Sequence, residues 1–213
     1  MRMNCVMFRN YLIIAWRSIV GNPMFSAINI VGLSIGLACG IIITLFVQYE
    51  LSYDKHWTDA DRTYRVTRDF YGNDLKLAPI APVIAPLLAE DFPEIETITR
   101  ILNASGVTIS RGDLQVQQDG VAFADANLLE FFGLKMVSGD PATALSQPTS
   151  IVLSQRAVER YFGSEDPVGQ TLSFMGQVDL KVTAVFEDLP DNTHMAMEVV
   201  GSIAMLPLVS DPD

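Results

Sequence analysis

No charged side chain occurs between Ser18 and Tyr49. A water-soluble helix of that length keeps a polar face, and this stretch has none. Within it, Phe25 to Val47 comprises 23 residues, thirteen of them Ile, Leu, Val or Phe. Coiled at about 1.5 Å per residue, such a segment extends about 34 Å, enough to cross a hydrocarbon core of about 30 Å with some tilt. Its apolar side chains favour insertion by about 6 kcal/mol at most, less the polar contributions of Ser26, Asn29, Ser34 and Thr44. A transmembrane helix over residues 25–49 is the expectation.

Glycine recurs along this segment at every fourth position: Gly32, Gly36 and Gly40. In water each would cost a helix about 1 kcal/mol against alanine. In lipid, apolar surface gives no drive for helix association, whereas close backbone approach does, and small residues four apart make a flat groove on one face. The three glycines are therefore candidates for a helix-packing face, although glycine is common in membrane helices generally.

Charge is split at the same place. Residues 1–49 hold Arg2, Arg9 and Arg17 and no acid, so the remaining 11 basic and all 25 acidic residues lie from Glu50 onward. By the positive-inside rule the N-terminus is cytoplasmic and the acidic part lies outside the membrane. Phe8, Leu12, Ala15, Trp16 and Ile19 recur at helical spacing ahead of the span, with Arg9, Asn10, Arg17 and Ser18 elsewhere. Residues 1–24 thus read as a cytoplasmic, interfacial amphipathic segment. Tyr11, Trp16, Arg9 and Arg17 are its anchors in the headgroup layer, and Gly21, Asn22 and Pro23 break it before the span.

A cleavable signal peptide has a shorter apolar core and a small-residue cleavage site, both missing here. A lipoprotein signal wants a bulky aliphatic residue three before its cysteine, where Gly36 stands before Cys39. The chain has two cysteines, Cys5 and Cys39, and none after residue 39, which excludes a disulfide framework in the outer part and leaves two reduced thiols. The strongly acidic outer part disfavours nucleic acid as a partner.

From Glu50 the composition is that of a folded domain. Alternation and turn residues predict strands at Tyr64–Phe70, Glu96–Leu102, Gly106–Ser110, Leu114–Phe123, Ser150–Leu153, Thr171–Met175, Leu180–Asp188 and Met195–Met205. Helices are expected at Pro82–Asp91, in "NLLEFFG" closed by Gly133, and from a Ser154 cap to Gly163. This is an α+β pattern with segregated antiparallel strands.

A search for chemistry returns little. No phosphate-binding loop, nucleophile elbow, dinucleotide fingerprint or zinc-helix motif is present. His56 and His194 are far apart in sequence and have no Cys or His nearby, so both read as surface or hydrogen-bonded residues. Glu187, Asp188 and Asp191 read as a solvated loop, and Asp59 to Arg62 as a short capped turn. No catalytic, cofactor-binding or metal-binding residue is assigned, and no enzyme is expected.

Four segments in this order carry a family resemblance: "NYLIIAWRSIVGNPMFSAINIVGLSIGLACGIIITLFVQYELSYDKHWTDADRTYRV", "LLAEDFPEIETITRI", "ALSQPTSIVLSQRAVERYFGSEDPVGQTLSF" and "VTAVFEDLPDNTHM". From about Met7 to Met205 the chain resembles MacB/FtsX-type ABC transporter permeases. The resemblance implies a bacterial inner-membrane protein whose outer part is a MacB-like periplasmic core domain, with porter-like strand-helix-strand units and an inserted, mainly β lobe. It implies residues 50–213 as that domain, incomplete at its C-terminus, in a fragment or truncated product. It also implies partners: the bilayer, a second permease copy or a related one, a cytoplasmic ABC ATPase, and an adaptor or outer-membrane component. ATP would be bound by the ATPase, so no cofactor is expected in this chain. Such a subunit transmits ATP-driven motion to its periplasmic domain for export or extraction of a substrate. The alternative is a single-span anchored sensor or adaptor whose outer domain binds a ligand or partner.

Overall fold

The computed structural model describes residues 3–70, 75–77 and 79–207. Residues 1–2, including Arg2, lie outside it, as do the side chains of Cys5 and Phe8. The chain forms two compact units, Met1–Ser52 and Tyr53–Asp213.

The first unit is two helices, α1 (Met3–Gly21) and α2 (Pro23–Glu50). Asn22 between them leaves helical geometry, with φ −132° and ψ 68°, and Pro23 opens α2 at a position where its missing N–H costs nothing. The 28 residues of α2 overrun the expected span slightly at both ends, and none is buried. Thr44 donates its hydroxyl to the Gly40 carbonyl at 2.8 Å, which satisfies it inside the helix without water.

The second unit is built on one mixed sheet. A 3₁₀ turn at Ala60–Arg62 leads to a separate two-stranded ribbon, β1 (Arg68–Phe70) and β2 (Leu75–Leu77). Helix α3 (Ile84–Asp91) follows, then β3 (Ile101–Ala104), β4 (Val107–Arg111), β5 (Leu114–Gln118), β6 (Val121–Ala124), α4 (Leu128–Phe131), β7 (Met136–Ser138), β8 (Ser150–Ser154), α5 (Gln155–Phe162), β9 (Thr171–Phe174), β10 (Val178–Phe186) and β11 (Val199–Ser202). The order across the sheet is β3-β6-β11-β8-β10-β9-β4-β5, with β7 also on β10. β8 and β10 are parallel, joined by the crossover that contains α5, and β6 and β11 are parallel too. The sheet is therefore mixed, where local patterning suggested antiparallel strands only.

Both faces of the sheet are buried. One carries Ala122, Ala124, Val152, Ala184, Phe186 and Val200 against Leu128, Leu129 and Trp57. The other carries Val121, Phe123, Ile151, Leu153, Leu180 and Val182 against Ala157, Tyr161 and Phe162 of α5. Alternation along a strand would put Leu180, Val182, Ala184 and Phe186 on one side. They divide two and two, because Val182 pairs with Ile151 while Ala184 pairs with the next residue, Val152. Thr183 is the extra residue of a β-bulge, and it switches the strand's faces. Its hydroxyl donates to the carbonyls of Ala144 at 2.7 Å and Ile151 at 3.2 Å.

Several expected boundaries move. Of Tyr64–Phe70 only the last three residues pair, and Tyr64 and Val66 are exposed. The strand expected at Glu96 starts at Ile101, where β6 first lies alongside. Leu114–Phe123 is two strands: at Gly120 the backbone turns with φ +66°, and a Cβ there would sit 2.6 Å from the Ala196 carbonyl oxygen. β5 then goes to one end of the sheet and β6 toward the other. Met195–Met205 is strand only over Val199–Ser202 and ends in a 3₁₀ turn. β2 and β7, three residues each, have no counterpart in the sequence reading.

Gly139 lies against the bulge with φ +85°, and a Cβ there would fall 2.7 Å from the Thr183 carbonyl oxygen. Gly139→Ala is expected to lower unfolding free energy by roughly 2–4 kcal/mol. Gly163→Ala, at φ +61° and ψ −114° with nothing within 4 Å of its Cβ position, meets backbone strain without a clash and is expected to cost less, roughly 1–3 kcal/mol. Urea midpoints of the two variants check the difference.

Candidate functional site

Gly32, Gly36 and Gly40 lie along α2, and a Cβ at each would meet nothing within 4 Å. Four residues advance a helix by about 40° beyond a full turn, so the three share an arc of about 80°. Cys39 is free and exposed on the same helix. Tyr11, Trp16, Arg9 and Arg17 are all exposed on α1. Ile13, Ile14 and Val20 are exposed as well and spread apolar surface around α1, so its polar stripe is narrow.

Two clusters of polar side chains stand out among the described residues of the second unit. The first follows α2 in the chain. Asp54, at φ +56°, accepts hydrogen bonds from the Thr193 hydroxyl at 2.8 Å, the His194 backbone at 3.0 Å and Trp57 Nε1 at 3.4 Å. His194 Nδ1 lies 2.7 Å from its other oxygen, and the Asp54 backbone N–H donates to the Asn192 carbonyl at 3.1 Å. Burial works to raise the Asp54 carboxyl, but the hydrogen bonds from Thr193, His194 and Trp57 outweigh it and hold the group below its usual 3.8. His56 stacks on Trp57 with ring centroids 4.0 Å apart, and burial pulls it below the usual histidine value despite the nearby Asp54 charge.

The second place is a cleft of about 480 Å³ lined by Gln118, Ser154, Arg156, Arg160, Asp191 and Glu198, among others. Gln118, at the end of β5, is buried. It donates to Glu198 at 2.9 Å and accepts from Arg160 at 2.7 Å and from the Tyr161 hydroxyl at 3.0 Å. Arg160 also pairs with Glu198 at 2.5 Å. Burial raises Glu198, yet bonds from Arg160 and Gln118 bring it below its usual 4.5, whereas burial pushes the Tyr161 hydroxyl up to about 12. These groups neutralise one another and tie the β4–β5 hairpin to α5 and β11. Asp188 is likewise spent, accepting from the Arg156 backbone at the start of α5 at 2.9 Å. Among the described residues no group of three His, Cys, Asp or Glu side chains could hold a metal ion.

Sequence reasoning did not find Asp54, Thr193, Gln118 or Glu198. Asp54 and His194 are 140 residues apart; each lies in a segment that carries the family resemblance, but nothing local joins the two. Asp54 is also the second acid after the uncharged stretch.

Helix α2 is long and apolar enough to cross a membrane, and a short strap, residues 51–59, continues it into the mixed-sheet unit. The family described as the MacB-like periplasmic core domain matches residues 26–210, and the chain belongs to that family. Among solved structures, the chain is similar to a domain of a protein described as a permease from Porphyromonas gingivalis. The TM-score is 0.55 at 20% identity, over 66% of this chain and 57% of that one. The periplasmic region of MacB from Actinobacillus actinomycetemcomitans aligns at 18% identity with a TM-score of 0.49, over 61% of this chain and 58% of that one. The extracellular domain of the noncanonic ABC-type transporter YknZ from Gram-positive bacteria aligns at 16% identity with a TM-score of 0.42, over 53% and 57%. The first likeness supports the fold, and the other two are too distant to add to it. The chain spans less than two thirds of the length of each. No curated protein sequence matches it.

Asp54, Asp125 and Glu198 all have carboxyls held below their usual values by their partners, after a contrary effect of burial. A depressed folded value means the stabilisation is fully present above the unfolded value, about 4, and is lost as pH falls through the folded one. The thermal midpoint of the second unit is expected to stay level from pH 7 to about 5 and to fall below about 4. Glu198→Gln is expected to make that acid decline shallower, measured by circular dichroism melts across the range.

Proposed function

We infer that this chain belongs to a permease subunit of an ABC transporter of the MacB/FtsX type. It carries movement, driven by a separate cytoplasmic ATPase, to an outer domain that serves export or extraction of a substrate. The observation that carries the reading is continuity. The family match begins inside the apolar helix, at residue 26, and runs through the strap and the mixed sheet to residue 210. Membrane segment and outer domain are thus one inherited unit. In a bacterium of two-membrane type the chain sits in the inner membrane. The arginines of α1 face the cytoplasm, and residues from about 50 onward lie in the periplasm.

Both arginines of the cleft pair with Glu198, which supports a mechanical role over a catalytic one. Gly32, Gly36 and Gly40 give α2 a smooth face for another membrane helix, of the same subunit or of a second copy. Tyr11, Trp16, Arg9 and Arg17 hold α1 at the inner headgroup layer. ATP belongs to the partner ATPase.

Paired fusions after Asp213 test the topology. Alkaline phosphatase is expected to be active there and green fluorescent protein dark; the reverse pattern overturns the reading. Gly36→Leu tests the face. Bulk at a close helix contact costs about 1–3 kcal/mol, so the variant is expected to co-purify with less of its permease partner and ATPase from detergent, at unchanged expression.

A further inference from the structure

The strap that leaves α2 is fastened at Tyr53, whose ring centroid lies 4.8 Å from that of His194, at Asp54 and at Trp57, and the last two differ in character. Trp57 is the first buried apolar side chain after the span; it is 8% exposed and packs on Phe132 at 4.8 Å between ring centroids. It belongs to the core face that holds Leu128, Val152 and Phe186, so it cannot leave without opening that core. Asp54, three residues earlier, is held only by polar contacts near the surface. Its side chain is 35% exposed and that of His194 is 72% exposed. Surface hydrogen bonds of this kind break and re-form without unfolding the sheet.

The segment that holds Asp54 is the connection from β10 to β11. Its residues Asp188 to Asp191, Thr193, Ala196 and Met197 form one wall of the cleft. The wall is pinned beyond that point, because the Glu198 backbone donates to the Gly120 carbonyl at 2.8 Å and Met197 is buried. Residues 192–195, of which Thr193 lines the cleft, are thus the part of this connection that the strap holds: Asn192, Thr193 and His194 bond Asp54, and the Met195 backbone donates to the Thr193 hydroxyl at 3.2 Å.

We propose that Asp54 is a latch and Trp57 a pivot: the strap swings about Trp57 when the Asp54 contacts open, and in doing so releases residues 192–195, which bring Thr193 to the cleft wall. The proposal rests on the reading that the strap receives movement from the span. The positive φ of Asp54 suits this role, since Asp adopts that conformation more easily than most residues and it turns the carboxylate onto the neighbouring loop.

Amide hydrogen exchange on the full chain in detergent micelles tests it. Asp54→Gly removes the carboxylate while keeping the backbone free to adopt positive φ. It is expected to speed exchange at His194 and Met195 by about tenfold or more, the equivalent of losing about one net hydrogen bond. The amides of β8 and β11 are expected to keep their protection. Thr193→Val is expected to speed Met195, whose amide loses its acceptor, and to affect His194, whose bond to Asp54 remains, only weakly. Trp57→Ala, by contrast, is expected to speed exchange across β6 and α4. The latch is overturned if Asp54→Gly leaves His194 and Met195 unchanged, or if it speeds β8 and β11 equally. The pivot is overturned if Trp57→Ala acts on the strap alone. The reporter fusions read topology and not exchange, so failure of the latch and failure of the permease reading give different results.

Discussion

Thr183 is one residue more than the neighbouring strand can match, and the second unit is organised around that surplus. A regular β10 would put Leu180, Val182, Ala184 and Phe186 on one side of the sheet, and the opposite side would lose two large contributors. With the bulge, β10 feeds both cores: its first half lies over α5 and its second half over Leu128, Phe132 and Trp57. The same strand pairs with β8 along one edge and with β9 and then β7 along the other. The close passage of Gly139 and the carbonyls that receive the Thr183 hydroxyl are what such a bulge requires, because a displaced ladder leaves polar groups to be satisfied inside.

Polar contacts do a different job. Gln118 with Glu198, Arg160 and Tyr161 locks a hairpin to a helix and a strand that lie far from it in sequence. Arg100 and Asp125 hold the start of β3 to the end of β6 with a bidentate pair and a backbone bond. Such ties add little net stability where exposed, but they are directional, and they set which surfaces move together. The apolar cores decide that the unit folds. The charged ties decide that its hairpins, its cleft wall and its strap keep fixed relations once folded.

Legibility in the sequence followed the range of the interaction. The span could be read because an uncharged run is a local property, and so could α5, whose Ser154 cap accepts from the Ala157 backbone and whose end is Gly163. The helix closed by Gly133 was legible for the same reason. Strand edges were not. Ile101 starts β3 because β6 lies opposite, and the Leu114–Phe123 run divides because Gly120 passes close to Ala196, a residue far along the chain. The parallel pairing of β6 with β11 joins residues 78 apart, such as Val121 and Val199, and leaves no periodic trace. The candidate site was the least legible part, since Asp54 and His194 meet only after the sheet between them has formed.

The position of that meeting bears on how a membrane-anchored domain can work. A helix with no buried residue and a largely apolar surface can pass a displacement along its axis, but it cannot choose where the displacement goes. The choice is made by the first attachment in water. If the strap were held by apolar packing alone, as at Trp57, movement would be absorbed by the core, which is close-packed and resists small shifts. A polar attachment ahead of the apolar one lets the strap yield first at the surface and directs the movement into a loop, where backbone can rearrange at small cost. The order Asp54 then Trp57 along the chain is the arrangement in which the yielding contact is met before the fixed one.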